Sequence, residues 1–385
     1  GRAPQHAAER ARIARREYAC DVDRMMLLNF TSGTTGRPKG VMHSTRTVSS
    51  CAAPTMVRLQ LSGDDVILVA PTLGHGGGFL NGFYAPLHLG AKVVYLDAWD
   101  AAVAAAVIER EQVSYGPVMP TYLFDLVAHL ERTPQADLRS WKTGRVSGGA
   151  ISRELMSRLQ ARLPQLRLCP GWGMSENLWS TCGGPDDPLD KRNETDGRLV
   201  GDCVIEIRDR SLERSLPFGE VGEIVTRGSS LCLGYFGDDA LTRASFTVDG
   251  WFKTGDLGRI DAAGYLTMVG RSKDLVIRGG ENVPVVEIER LLMEHPAVAA
   301  AAVVGVPDAR LGEKVCAVIE HKTGAPALDF TRMSEYLAGK QLTRQFIPEY
   351  LVVLDRLPKT AVGKIRKQDA RTQALARLGS AGRRQ

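Results

Sequence analysis

Long apolar runs are missing from this sequence: the longest, such as residues 297–306, fall well short of the ~20 residues that span a bilayer. The first twenty residues, GRAPQHAAERARIARREYAC, are rich in Arg and Ala and hold no apolar core. That excludes a secretory signal; Glu9 and Glu17 count against a transit peptide and favour a surface helix or linker. Cysteine is sparse and scattered. Cys20, Cys51, Cys169, Cys182, Cys203, Cys232 and Cys316 are odd in number and contain no CxxC pair, so neither a zinc knuckle nor a redox motif is expected, and a reducing, cytoplasmic setting is. Aromatic residues make up only 6%, with no recognisable base-stacking module, which sets nucleic acid aside as a partner.

What is present describes an ordinary globular protein. The 385 residues exceed the roughly 250–300 at which a single core stops growing, so two or more domains are expected. Hydrophobic residues at 44% and charged residues at 24% fit a folded chain. The net charge of +5 is spread out, and its densest basic stretches, 10–16 and 364–384, read as solvated helix and tail. No internal repeat is found.

From residue 25 to 170 the strand-like runs MMLLNF, VILVA, KVVYL, VSYGPV and LRLCP alternate with helix-length segments near Ser44, Phe79, Ala101, Tyr122 and Ser152. This rhythm predicts a parallel α/β sheet. From about 198 to 270 it gives way to short β segments rich in Gly and Asp, a smaller β-rich subdomain. Beyond it, a helix at 285–294, strands AVAAAAVVGV and EKVCAVIE, a helix at 329–338 and a strand EYLVVL compose a small α+β domain. The expected division is an N-terminal helix or linker at 1–20, an α/β part at 21–197, the β-rich part at 198–272, a C-terminal lid at 273–368 and a tail at 369–385.

The strongest local signal is TSGTTGRPKG at 31–40, directly after the strand MMLLNF. Gly33, Gly36 and Gly40 let backbone N–H groups turn toward an anion, Thr31, Ser32, Thr34 and Thr35 offer hydroxyl donors, and Lys39 adds a mobile charge. By composition alone such a loop is more often an exposed turn. A Walker A loop is excluded, because Arg37 and Pro38 stand where Gly-Lys-Ser/Thr would be required.

The loop resembles, without a departure, the [ST]-[ST]-G-[ST]-T-G-x-P-K-G phosphate loop of the acyl- and aryl-CoA synthetase, adenylation-domain and luciferase superfamily. Further segments follow in the family's order. PTLGHGGG at 71–78 is similar to the loop that sets a His, here His75, beside the acyl pocket, one residue longer than the commonest form. SGGA at 147–150 is similar to the segment bordering adenine and acyl group. GWGMSE at 171–176 resembles Y-G-x-T-E, with Trp172 and Ser175 as departures. WFKTGD at 251–256 resembles W-x-x-T-G-D, and GRSKD at 270–274 resembles G-R-x-[KD]-D. RGGENVP at 278–284 with Glu287 and Glu289 is similar to the form found in coenzyme A ligases, and LPKTAVGKIRK at 357–367 is similar to the family's terminal motif.

The resemblance implies a large α/β domain with a β-rich subdomain and a mobile C-terminal lid. It implies an enzyme using ATP, Mg²⁺ and coenzyme A, with Lys364, Glu176 and Lys39 as catalytic groups and Glu176 on the metal. Nucleotide contacts would come from Thr31, Ser32, Gly33, Thr34, Thr35, Gly36, Gly148, Gly149, Ala150, Gly171, Trp172, Gly173, Met174, Ser175, Asp256 and Arg271. His75, Gly76, Gly77, Gly149 and Met174 would line the acyl pocket, Lys273 would be the hinge, and Arg278, Gly279 and Gly280 the coenzyme A channel. Physically, a carboxylate's two acceptor oxygens suit paired ribose hydroxyls at Asp256, and a hard oxygen ligand suits Mg²⁺ at Glu176. Taken singly, Glu176 would be a carboxylate at a helix start and Trp172 a core aromatic.

The expected reaction is activation of a carboxylic acid to acyl-AMP, then thioester formation with coenzyme A. Transfer to a carrier-protein phosphopantetheine and a non-catalytic nucleotide-binding remnant are the alternatives. The second alternative arises because family members carry a further subdomain, on the order of 100–200 residues, before the phosphate loop, so an N-terminally truncated chain is expected, as its initial Gly suggests. The glycines at 76–78 and 148–149 with Met174 lean the acid toward bulky apolar, alicyclic or aromatic.

Overall fold

Four-residue runs build the central sheet of the computed structural model, which describes residues 21–31, 38–70, 73–147, 153–279, 281–359 and 365–381. Lys92–Tyr95, Val66–Val69, Tyr115–Val118, Thr143–Val146 and Arg167–Pro170 lie side by side in that order, all parallel. Parallel strands of this kind must be covered on both faces. On one face Ala101–Glu111, Pro120–Arg132 and Arg153–Arg162 bury Ile108, Leu123, Leu126 and Leu159 with Trp141. On the other, Thr45–Arg58 and the helical segment 76–89 bury Val48, Met56 and Leu80 over Ile67, Val69 and Tyr115.

The helix starts are written locally. Asp100 accepts from the N–H groups of Ala102 and Val103, both at 2.9 Å. Ser44 and Thr47 cap the helix Thr45–Arg58 reciprocally. Each strand therefore hands over to a loop at its carboxyl end, the side where ligands bind in open α/β sheets. The chain leaves the sheet on that side at Ala70, Ser147 and Gly171.

One strand expected in this sheet lies elsewhere. Met25–Thr31 pairs antiparallel with Lys39–Ser44, Phe30 opposite Gly40 and Thr31 opposite Lys39, and Gly234–Tyr235 adds a third strand. Only residues 32–38 separate the two strands, too few for the crossover of a dozen or more residues that parallel pairing requires. Conversely, Thr143–Val146 is a central strand that the alternating rhythm did not reveal.

The β-rich part is a four-stranded antiparallel sheet of Val204–Arg208, Gly222–Arg227, Phe252–Ile260 and Leu266–Arg271. Its last two strands set Asp256 opposite Arg271. Beyond the 3-10 turn Ser272–Asp274, Ile277–Arg278, Glu281–Asn282, Val298–Asp308, Gly312–His321 and Tyr350–Leu354 form a separate five-stranded sheet. Helices Val285–Met293 and Phe330–Gly339 pack Ile288, Leu292, Met333 and Leu337 on one face. The stretch read as a tail is instead largely a helix, Lys367–Ala381, whose fully buried Ala370 and Ala374 close the opposite face. Small residues let this helix sit close to the sheet without the large apolar stripe that would have announced it.

Candidate active site

The loop after Arg167–Pro170 owes its glycines to crowding. A Cβ on Gly171 would lie 2.7 Å from Arg145 Nη2 and from the Thr181 carbonyl, and one on Gly173 would lie 1.7 Å from the Leu178 carbonyl oxygen. Only glycine permits such approach. Trp172 N–H donates to Thr181 Oγ1 at 2.9 Å and Met174 N–H to Asn177 Oδ1 at 2.9 Å. From the phosphate-loop side, the fully buried His43 reaches across with Nε2 2.7 Å from the Ser175 carbonyl oxygen. A carbonyl can only accept, so Nε2 carries a proton. Nδ1 lies 3.0 Å from Thr47 Oγ1, whose hydroxyl also reaches the Ser44 carbonyl at 3.0 Å. Burial lowers the His43 pKa, partly opposed by the bond to Ser175.

Asp256 is 3% exposed. Its Oδ2 accepts from Trp172 Nε1 at 2.9 Å, and its Oδ1 lies 3.0 Å from Arg271 Nε but off the line of that N–H, so it feels the charge and receives no hydrogen bond among the described residues. A buried acceptor left open beside a guanidinium is suited to an incoming hydroxyl. Trp172 itself is buried against Cys203, Ile205, Ile207, Ile224 and Leu266. Its plane is thus committed to the β-rich core, and its polar edge to Asp256.

Glu176 is 8% exposed and, among the described residues, has no ion-pair partner; its one side-chain hydrogen bond is from Tyr235 Oη to Oε1 at 2.8 Å. Lys39 Nζ stands 5.6 Å from the centroid of the same Tyr235 ring. Burying a carboxylate without a cation is costly, and this donor set fits a hard cation that brings water and substrate oxygens for most of its shell. No group of three or more His, Cys, Asp or Glu side chains among the described residues could enclose an ion unaided.

Near the expected acyl pocket, His75 Nδ1 accepts from Gly77 N–H at 3.1 Å and caps the short helix Gly76–Phe79. Asn81 donates to the Gly77 carbonyl at 2.8 Å and accepts from Tyr115 Oη at 2.7 Å. The amide nitrogen of Asn29 is buried without a hydrogen-bond partner among the described residues, and a Cβ on Gly76 would come within 3.0 Å of it. Asn29, His43, Asn81, Tyr115 and Tyr235 escape a sequence reading because isolated polar residues carry no spacing signal; the pair Gly234-Tyr235 was the one local cue.

In the C-terminal region, Arg278 is ion-paired with Glu349, whose other oxygen accepts from Val315 N–H at 2.8 Å. Gly279 takes φ +58° and donates to the Leu311 carbonyl. Glu289 Oε1 accepts from Val303 N–H and Lys367 Nζ, each at 2.7 Å. Lys359 bridges antiparallel to Ile365 and Arg366 N–H donates to the Pro358 carbonyl at 2.8 Å. Lys273 contributes its backbone to the turn at 272–274. Ser32, Gly33, Thr34, Thr35, Gly36, Gly148, Gly149, Ala150, Gly280 and Lys364 lie outside the described residues.

The parallel sheet, the two buried acids tied to one loop and the separate C-terminal sheet are in keeping with the adenylate-forming class. The chain belongs to the AMP-binding enzyme family: that family is matched over residues 2–236 and the AMP-binding enzyme C-terminal domain over residues 287–364. Among its relatives are acyl-CoA ligases. It is 34% identical over 356 residues to the medium-chain fatty-acid–CoA ligase of Escherichia coli (strain K12), covering 92% of this chain and 62% of that one. It is 35% identical over 353 residues to the indoleacetate–CoA ligase of Aromatoleum aromaticum, covering 91% and 68%. Among solved structures it is similar to ATP-bound MatB from Rhodopseudomonas palustris (27% identity, TM-score 0.82, 92% and 69% covered). It is likewise similar to Bacillus subtilis o-succinylbenzoate CoA synthetase with its acyl-adenylate (28%, 0.81, 92% and 69%). The chain thus spans about two thirds of the length of these relatives.

Proposed function

We propose that this chain activates a carboxylic acid with ATP to an acyl-adenylate and then forms the coenzyme A thioester. A carboxylate oxygen attacks the α-phosphorus and pyrophosphate leaves; the thiolate of coenzyme A then attacks the acyl carbonyl and AMP leaves. The observation that carries this reading is the loop 171–176, which links Trp172 to Asp256 at one end and Glu176 to Tyr235 at the other. One segment thereby relates a ribose-facing carboxylate to the triphosphate end.

Asp256 Oδ1 and Arg271 would hold the nucleoside. Lys39 and Lys364 would neutralise the meeting anions, a task of positioning and charge more than covalent chemistry. Glu176 would hold Mg²⁺, which when bound supplies positive charge to the phosphates. The turn at Lys273 would let the lid exchange Lys364 for the segment 278–280 between half-reactions. The glycine run 76–78 and the apolar Met174 would suit a bulky apolar, alicyclic or aromatic acid. The six described cysteines, all buried and unpaired, are in keeping with a reducing, cytoplasmic setting, and no described helix is long and apolar enough to cross a membrane.

Mass spectrometry of products from acid, ATP, Mg²⁺ and coenzyme A tests the proposal. Acyl-CoA, AMP and pyrophosphate in equal amounts are expected; acyl transfer only to a carrier-protein phosphopantetheine, or no product from any acid, would overturn it.

A further inference from the structure

The segment 232–236 lies between the two halves of the triphosphate end, and neither half contains it in sequence. On one side it pairs with the strand leaving the phosphate-loop motif: Leu233 N–H donates to the Met42 carbonyl at 2.8 Å, Phe236 N–H to the Gly40 carbonyl at 2.7 Å, and Tyr235 stands opposite Val41. On the other, Cys232 N–H donates to the Glu176 carbonyl at 2.7 Å, and Tyr235 Oη donates to Glu176 Oε1 at 2.8 Å. Tyr235 is 6% exposed, and its own N–H is held by Thr242 Oγ1 at 2.9 Å. The ring is fixed from its backbone outward.

Two consequences follow from its chemistry. A phenol that donates to one carboxylate oxygen fixes the plane of that carboxylate and leaves Oε2 as the oxygen that takes no hydrogen bond among the described residues. The same ring lies under Lys39 Nζ at 5.6 Å from its centroid, close enough for the ring face to attract the ammonium. One aromatic side chain therefore sets the spacing between an anion and a cation that both address the triphosphate. Burial and the neighbouring Glu176 push the Tyr235 pKa upward, so the phenol stays protonated and can only donate to Glu176.

We propose that Tyr235 is a positioning residue that orients Glu176 toward Mg²⁺ and Lys39 toward the triphosphate, coupling metal affinity to nucleotide binding. This rests on the reading that Glu176 holds the cation. The test is calorimetric ATP binding to the full chain without acid, repeated across Mg²⁺ concentrations, for the wild type, Tyr235→Phe and Glu176→Gln, with AMP binding without Mg²⁺ as the reference.

Tyr235→Phe keeps the ring packing and loses only the hydroxyl. It is expected to raise the Mg²⁺ concentration that half-saturates ATP binding about tenfold, as loss of a hydrogen bond to a charged group does, while AMP affinity and melting temperature hold. An unchanged Mg²⁺ midpoint in Tyr235→Phe, with a shifted one in Glu176→Gln, would overturn the role of Tyr235 alone. An unchanged midpoint in Glu176→Gln would remove the metal reading and the proposal with it. ATP and AMP affinities falling alike in Tyr235→Phe would mark a merely structural residue and also overturn it.

Discussion

The indole N–H of Trp172 donates to Oδ2 of Asp256 at 2.9 Å, while Oδ1 of the same carboxylate stays open beside Arg271. In this chain the aromatic of the GWGMSE motif thus acts through Asp256, the acid we propose holds the ribose. Trp172→Phe should keep the packing against Ile205 and Leu266 and lose that donor. The KM for ATP should rise about tenfold with kcat nearly unchanged, and discrimination against 2′-deoxy-ATP should narrow, because the freed Oδ2 can rotate. Steady-state kinetics with both nucleotides check this; a fall in kcat at unchanged KM would contradict it.

Glu289 is half-buried, its side chain 18% exposed, and desolvation raises its pKa against the lowering effect of Lys367. Lys367→Met would leave that carboxylate without its cation and destabilise the C-terminal sheet by about 1–3 kcal/mol. The double variant Glu289→Gln with Lys367→Met should recover most of that. Residues 365–367 would still be untethered, so pyrophosphate exchange should remain well below wild type in the double variant. Thermal melts and exchange rates on the three proteins separate stability from positioning.

How much of this was legible beforehand follows from where the information lies. The order of motifs from Thr31 to Asp256 is carried by residue types with specific chemistry, whereas Tyr235, which touches Glu176 and lies under Lys39, stands in none of them. Sheet membership is not carried that way: Met25–Thr31 looks like any apolar strand, and only its short return to Lys39–Ser44 makes it antiparallel. Thr143–Val146 hides because Arg145 stands on its buried face; the guanidinium is 3% exposed and stacks 4.7 Å from the Trp179 ring centroid. The helix Lys367–Ala381 hides because its contact stripe is alanine.

His43 gives a pH signature. Its pKa is lowered in the folded protein, so the ring stays neutral there while the unfolded chain takes up a proton below about 6.5. The unfolded state then binds more protons, and stability present above pH 6.5 is lost as pH falls from there toward the folded pKa. In His43→Gln an amide still can donate to the Ser175 carbonyl but does not titrate. Between pH 7.5 and 5 the wild type should lose about 1 kcal/mol more stability than the variant, measured by denaturant unfolding at each pH; equal losses would contradict a neutral buried ring.

The most direct measurement is acid-dependent ATP–pyrophosphate exchange across a panel of carboxylic acids, run on the wild type and Lys364→Ala beside transfer from supplied acyl-adenylate to coenzyme A. The predicted result is exchange with at least one bulky apolar or aromatic acid, lost in Lys364→Ala, while both proteins still make thioester from the adenylate. No exchange by the wild type with any acid, or equal loss of both half-reactions in Lys364→Ala, would contradict the account.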